Sequence, residues 1–147
     1  MRILELEQLF QSEETLDQAL QKCKEDFDRV DYYAGLLKSA ITDNAEEAKK
    51  ALNELTGIYV SLKTALAVAE SEKKNREIRK YDSIRIKTEE EGKKFISVSA
   101  EREASLYVAN YRRIRNYIQA YTDACEKAIS TLQSILKYLS EEMKLQK

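Results

Sequence analysis

Apolar residues recur along most of this 147-residue chain at alternating spacings of four and three, the seam pattern of helices packed on long helical neighbours. Leu16, Leu20, Cys23, Phe27, Val30, Ala34, Leu37 and Ile41 keep that rhythm and predict a first helix over 13–40. Ala19, Tyr33 and Ala40 flank the seam and widen it, as a helix touching two partners requires. Upstream, Ile3, Leu6 and Phe10 suggest a short helical lead-in, interrupted near Ser12. Asp43 followed three residues later by Glu46 resembles a capping box and starts a second helix over 44–79. Its seam is Ala48, Leu52, Leu55, Tyr59, Leu62, Leu66 and Ala69, with Ala51, Ile58 and Ala65 alongside. After Ala69 the apolar signal fades while helix-forming charged residues continue to about Arg79, so the helix is expected to project beyond its packed part.

Over 81–99 the period changes. Ser83-Ile84-Arg85-Ile86-Lys87-Thr88 alternates, Gly92 sits among charges, and Phe95-Ile96-Ser97-Val98 follows, which reads as a β-hairpin or as frayed helix plus a structured loop. A third helix over 100–143 carries Ala104, Tyr107, Tyr111, Ile114, Ile118, Tyr121, Cys125, Ala128, Leu132, Ile135 and Leu139 on one seam. At 1.5 Å per residue it measures roughly 65 Å against roughly 40 to 50 Å for each of the other two. Two shorter partners leave part of that seam bare, which favours a homo-oligomer over the alternative, a kinked third helix folded back within a monomer. The fold class expected is all-α: one domain over 1–147, three long amphipathic helices in an antiparallel coiled-coil-like bundle, with either a small hairpin or a loop between the second and third.

Composition supports long helices, because the chain has no Pro and only three Gly, which removes helix breakers and turn formers together. No apolar run approaches the roughly 20 residues that span a bilayer, so no membrane contact and a cytoplasmic location are expected. Cys23 and Cys125 both fall on apolar seams and read as reduced, buried thiols, with a disulfide between adjacent helices as the minor option.

Charge alters the picture more than composition does. Residues 1–72 hold 8 Lys/Arg against 15 Asp/Glu, whereas residues 73–115 hold 13 against 7. Antiparallel packing brings the basic residues to one pole of the bundle, a surface suited to a polyanion. The candidate nucleic-acid-binding residues are Lys73, Lys74, Arg76, Arg79, Lys80, Arg85, Lys87, Arg112, Arg113 and Arg115, with Tyr81 and Tyr117 placed to stack on unpaired bases. Against this stands the ordinary use of such residues on a solvated helix face, where Glu77 pairs with Lys80 or Lys73. Tyr107, Tyr111 and Tyr121 sit on the seam and read as core.

Enzyme chemistry finds little footing. The chain has no histidine, which removes the commonest general base, the usual metal ligand and every Ser-His or Cys-His nucleophile. Two lone cysteines cannot build a structural zinc site, and the three isolated glycines do not form a phosphate loop. Glu13-Glu14, Glu46-Glu47 and Glu89-Glu90-Glu91 read as solvated charge. A protein without cofactor or metal, working by binding and assembly, is therefore expected.

The run Lys73-Lys74-Asn75-Arg76-Glu77-Ile78-Arg79-Lys80-Tyr81 closes a long helix and is followed by a variable charged connector. An amphipathic C-terminal helix containing Tyr and Ala begins at Glu101. In size, element order and composition, residues 45–143 resemble small recombination mediators of the T4-phage UvsY type. That resemblance implies an oligomer that binds single-stranded DNA and helps a recombinase filament replace single-strand-binding protein, without turning over a substrate. The alternating stretch 83–88 and the acidic N-terminal helix depart from that pattern. The competing expectation is a helical scaffold, adaptor or inhibitor whose acidic face, with Glu25, Asp26, Asp28 and Asp31, docks a basic protein surface.

Overall fold

The computed structural model of the chain describes residues 3–39 and 44–146. They form five α-helices: α1 (Ile3–Leu9), α2 (Leu16–Ser39), α3 (Ala45–Glu90), α4 (Ser97–Tyr107) and α5 (Ala109–Leu145). A single 3-10 turn, Glu13–Thr15, leads into α2. No strand occurs among the described residues.

Polar contacts fix the helix directions. Arg29 and Tyr33 of α2 meet Glu54 of α3, while Arg76 further along α3 donates to the carbonyls of Phe10 and Gln11, so α2 and α3 run antiparallel. Asn110 donates to Glu13 and the Tyr121 hydroxyl donates to Asp31 at 2.9 Å, so α5 runs parallel to α2 and antiparallel to α3. The result is an up-down-up three-helix bundle, with α1 packed on α2 and α3 through Leu6.

The four-three seams become the core. Leu16, Cys23, Phe27 and Val30 of α2 meet Leu55, Leu62, Ala65 and Ala69 of α3 and Ile114, Ile118, Cys125 and Leu132 of α5 in one buried cluster. Phe27 stacks on Tyr121 with ring centroids 4.2 Å apart. Thr122 is buried too, and its hydroxyl returns a hydrogen bond of 2.7 Å to the Ile118 carbonyl, so its burial strands no donor. Tyr33 takes a core place beside the seam, while Ala34, on the expected seam, is exposed. Ala40, Ile41 and Asp43 lie outside the described residues. The N-cap of α3 is Asn44, whose side chain accepts from the backbone N–H groups of Glu46 and Glu47.

Both cysteines are free and buried. The Cys125 thiol donates to the Leu55 carbonyl at 3.3 Å. Burial first, and the nearby Asp26 carboxylate second, push both thiols up to about 11. The thiolate is the nucleophile, so the folded protein should leave both sulfurs unmodified by a disulfide reagent at neutral pH, and denaturant should release two equivalents at once. Rapid stoichiometric modification of the native protein would contradict this burial.

Glu54 clamps α2 to α3. Its carboxylate accepts from Arg29 Nε at 2.6 Å and from the Tyr33 hydroxyl. The Arg29 and Tyr33 hydrogen bonds hold its carboxyl below the ordinary 4.5. A carboxyl depressed in the folded state stabilises fully above its unfolded value, and that contribution is lost as pH falls through the folded value. Glu54→Gln should therefore flatten the loss of thermal stability below pH 4.5 relative to wild type, read by circular dichroism melts across pH.

Three features differ from the sequence-based expectation. The segment 81–99, read as either a hairpin or helix plus loop, has no hairpin and is mostly helix, because α3 continues through Glu90 and α4 begins at Ser97. Tyr81, Ile84 and Thr88 lie three and four apart and are half-buried on one face, with the Thr88 hydroxyl bonded to the Ile84 carbonyl at 2.7 Å. Two isoleucines in alternation were too short a signal against a helix already running. Gly92, at φ +66°, ends it: Lys93 N–H bonds the Thr88 carbonyl and Gly92 N–H the Glu89 carbonyl, the two bonds of a Schellman stop.

The third expected helix is two helices. Val108, at φ −98° and ψ 17°, separates α4 from α5. The break shifts the seam: Ala100, Ala104, Val108 and Tyr111 are buried, whereas Tyr107, expected in the core, is half exposed. Arg112 staples the break by donating to the Ser105 carbonyl at 2.8 Å and to its hydroxyl at 2.6 Å. Finally, α3 at 46 residues spans about 69 Å, close to α4 and α5 end to end. Its full length pairs with them, so the length mismatch expected to leave an apolar seam bare is absent.

Candidate functional site

The α1–α2 turn ends the three-helix part of the molecule at the level of Arg76. Beyond it the chain is only two helices thick: the last third of α3 lies against α4 as an arm. Its internal packing is light, with Tyr81 edge-on to Phe95 at 5.6 Å and with Ala100 and Ala104 the buried residues of α4. Ile78, Ile86, Ile96, Val98 and Leu106 are all exposed along it.

The ten candidate cations do not form one patch. Arg76 belongs to the scaffold: it holds the Phe10 and Gln11 carbonyls, lies 4.6 Å over the Tyr111 ring and approaches Glu72 at 3.9 Å. Arg112 is spent on the Val108 break. Arg113 reaches Asp17 of α2 at 3.3 Å, and Arg115 reaches Glu70 of α3 at 2.8 Å. Arg76 and Arg112 fix the base of the arm, Arg113 and Arg115 tie α5 to α2 and α3 within the bundle, and the three arginines of α5 point to three different neighbours.

The other six lie along α3 between residues 73 and 87. Lys73 approaches Glu77 at 3.8 Å and Arg85 approaches Asp82 at 3.8 Å. Partly exposed pairs at this separation are weak and exchange readily with solvent or an incoming anion. Lys80 rests over the Tyr107 ring at 4.9 Å. Lys74, Arg79 and Lys87 have no acidic partner among the described residues. Over 73–87 the helix carries seven Lys/Arg and two acids, and most of that charge is outward.

Two hollows adjoin this stretch. A groove of about 570 Å³ between α3 and α4–α5 holds Ile78, Tyr81 and Ala104 with both signs of charge, Lys74 and Arg115 against Glu77 and Glu101. A shallower one on the outside of α5 is lined by Arg112, Arg113, Asn116 and Tyr117 with Ala109 and Ala120, its Arg113 being the one paired with Asp17. Tyr117 is half exposed there, and Tyr81 is half-buried in the groove.

No family model, curated protein or solved structure matches this chain. Its chemistry is therefore read from its own residues. Among the described residues no group of three His, Cys, Asp or Glu side chains is placed to hold a metal ion. Among the described residues no helix is long and apolar enough to cross a membrane. The acidic face expected on α2 is divided: Asp31 is tied to Tyr121 and Asp26 is half-buried, while Glu25 and Asp28 face outward.

One outward cation escaped the sequence analysis. Arg102 lies between Glu101 and Glu103 in sequence, so a linear charge count cancels it. Helical phase separates it from them, setting it on the outer face of α4 in line with Val98 and Leu106.

Proposed function

We propose that the chain is a non-enzymatic, self-associating protein that binds single-stranded nucleic acid along the exposed face of α3 between Lys73 and Lys87, in the manner of the recombination mediators it resembles. One observation carries this reading: seven Lys/Arg against two acids over that stretch, with Lys74, Arg79 and Lys87 free of acidic partners among the described residues. Phosphates are the natural counter-ions for such a row, and the half-exposed ring of Tyr107, over which Lys80 rests, supplies a stacking face beside it. Arg76, Arg112, Arg113 and Arg115 serve this role indirectly, by holding the bundle and the base of the arm together. A recombinase is the protein partner implied by the resemblance.

A labelled oligonucleotide titrated by fluorescence anisotropy tests the reading. Binding should weaken with salt at a logarithmic slope of about −0.7 per neutralised phosphate on a single strand. No change in anisotropy with micromolar protein at low salt would sink it.

A second reading has its own support. Ile78, Ile86, Ile96, Val98 and Leu106 expose apolar surface on a thin arm whose stretch 77–107 is electrically balanced, seven Lys/Arg against seven Asp/Glu. Such a surface suits a scaffold or adaptor that docks another protein through the arm. Oligonucleotide-independent capture of a partner, lost on replacing Ile86 and Leu106 with Ser, is the result that reading requires.

A further inference from the structure

The seam shift at Val108 leaves a hollow where α3 meets α4 and α5. Ala104 is buried there, while Tyr107 lies half exposed under Lys80 instead. A methyl group leaves open the space that a larger side chain would fill. The resulting groove of about 570 Å³ falls inside the range of about 300–1,000 Å³ typical of small-ligand sites. Its apolar part is Ile78, Tyr81 and Ala104. Lys73 and Lys74 line it as well, and the same two residues begin the basic row of α3. A strand laid on that row with its phosphates on the lysines therefore passes the groove, close enough to turn a base into it.

The carboxylates of the groove decide what it can read. Glu70 is bonded to Arg115 at 2.8 Å, and Glu77 approaches Lys73 at 3.8 Å. Glu101 lines the groove too, is exposed, and has no cationic partner among the described residues. A carboxylate only accepts hydrogen bonds, and it does so through two oxygens side by side. It suits a base edge with two neighbouring donors and disfavours one that presents acceptors. Guanine offers N1–H beside its 2-amino group. Cytosine and adenine each offer one amino group beside a ring-nitrogen acceptor, and thymine offers one N–H between two carbonyls.

We propose that this groove is a base-reading site, in which an unpaired guanine of the bound strand lies against Ile78 and Tyr81 with its N1–H and 2-amino group donating to Glu101. The proposal rests on the nucleic-acid reading above and adds a base preference to it. The lysine row holds the strand through its phosphates and treats all sequences alike, whereas the groove separates guanine from thymine. Tyr81, which meets the Phe95 ring edge-on at 5.6 Å, gives the base an aromatic surface held in place by a neighbour.

Competition anisotropy with three single strands of equal length tests the assignment: all dT, dT with isolated dG, and the same strand with deoxyinosine in place of each dG. Deoxyinosine keeps N1–H and the purine stack and lacks only the 2-amino group. The dG strand should compete roughly 5-fold to 10-fold better than the deoxyinosine strand, the effect of one hydrogen bond to a charged acceptor, and the dT strand should compete least. Glu101→Gln leaves one acceptor in place of two at an exposed position, so helicity should stay that of wild type. In this variant the dG and deoxyinosine strands should compete within about 2-fold of each other, at an unchanged salt slope because no phosphate contact is lost.

No advantage of dG over deoxyinosine on the wild-type protein, or a dG preference that survives Glu101→Gln, would overturn the proposal. Tight, salt-dependent binding of all three strands without preference ends the base-reading site and leaves the nucleic-acid reading standing. Failure of all three strands to bind at low salt removes both.

Discussion

Truncating Ile118 to Ala should lower the unfolding free energy by about 2–5 kcal/mol, while Ile86→Ala should change it by less than about 0.5 kcal/mol. The two isoleucines are chemically identical and lie on helices of similar length. Ile118 is fully enclosed where α5 faces both α2 and α3, so its lost methyl groups leave a void that three helices cannot close together. Ile86 is half exposed on the arm, and its replacement leaves no cavity. Urea unfolding followed by helicity measures both, the cost appearing in the midpoint at unchanged slope. Comparable losses at the two positions would mean that the arm is a full part of the cooperative core, contrary to the thin packing described above.

Replacing Lys74, Arg79 and Lys87 together with Glu should reduce oligonucleotide affinity by roughly 100-fold or more, taking about 1 kcal/mol for each lost phosphate contact. The magnitude of the salt slope should fall by about 2, three contacts at about 0.7 each. These residues are chosen because none makes a contact on which the fold depends, so helicity and melting temperature should stay near wild type. Arg76→Ala is the instructive contrast: it frees the Phe10 and Gln11 carbonyls and uncovers the Tyr111 ring, so its effect belongs in stability. Wild-type affinity in the triple variant would clear the α3 row of nucleic-acid contact.

Much of the fold was legible because four-three spacing is a direct consequence of helix geometry and needs no knowledge of neighbours. Most described seam positions of α2 and α3 became core, with Leu20, Leu37, Leu52 and Tyr59 packed at its edge and Ala34 exposed. What was not legible has physical reasons. Nothing local distinguishes Ser83–Thr88 as strand or helix, and the choice is made by α3 already running and by α4 offering a surface to Tyr81, Ile84 and Thr88. The break at Val108 has no Pro or Gly to announce it; it is visible only in Arg112 reaching back to Ser105.

For the candidate site, sequence located the basic stretch and could not assign its uses. Arg76 and Arg79 look alike in a charge count. One supports a chain turn 66 residues away in sequence and the other faces solvent, a difference that exists only once α1 and α2 have packed.

The thinness of the arm also governs how the molecule opens. Amide groups in the middle of α5 can exchange only when three helices separate, whereas those of α4 are released once it lifts from α3, with Val108 already interrupting the helical hydrogen-bond ladder between them. The arm therefore behaves as a separate cooperative unit, opening at a lower free energy than the bundle. In hydrogen exchange, α4 should lose its protection well before α5, although the two lie end to end in sequence.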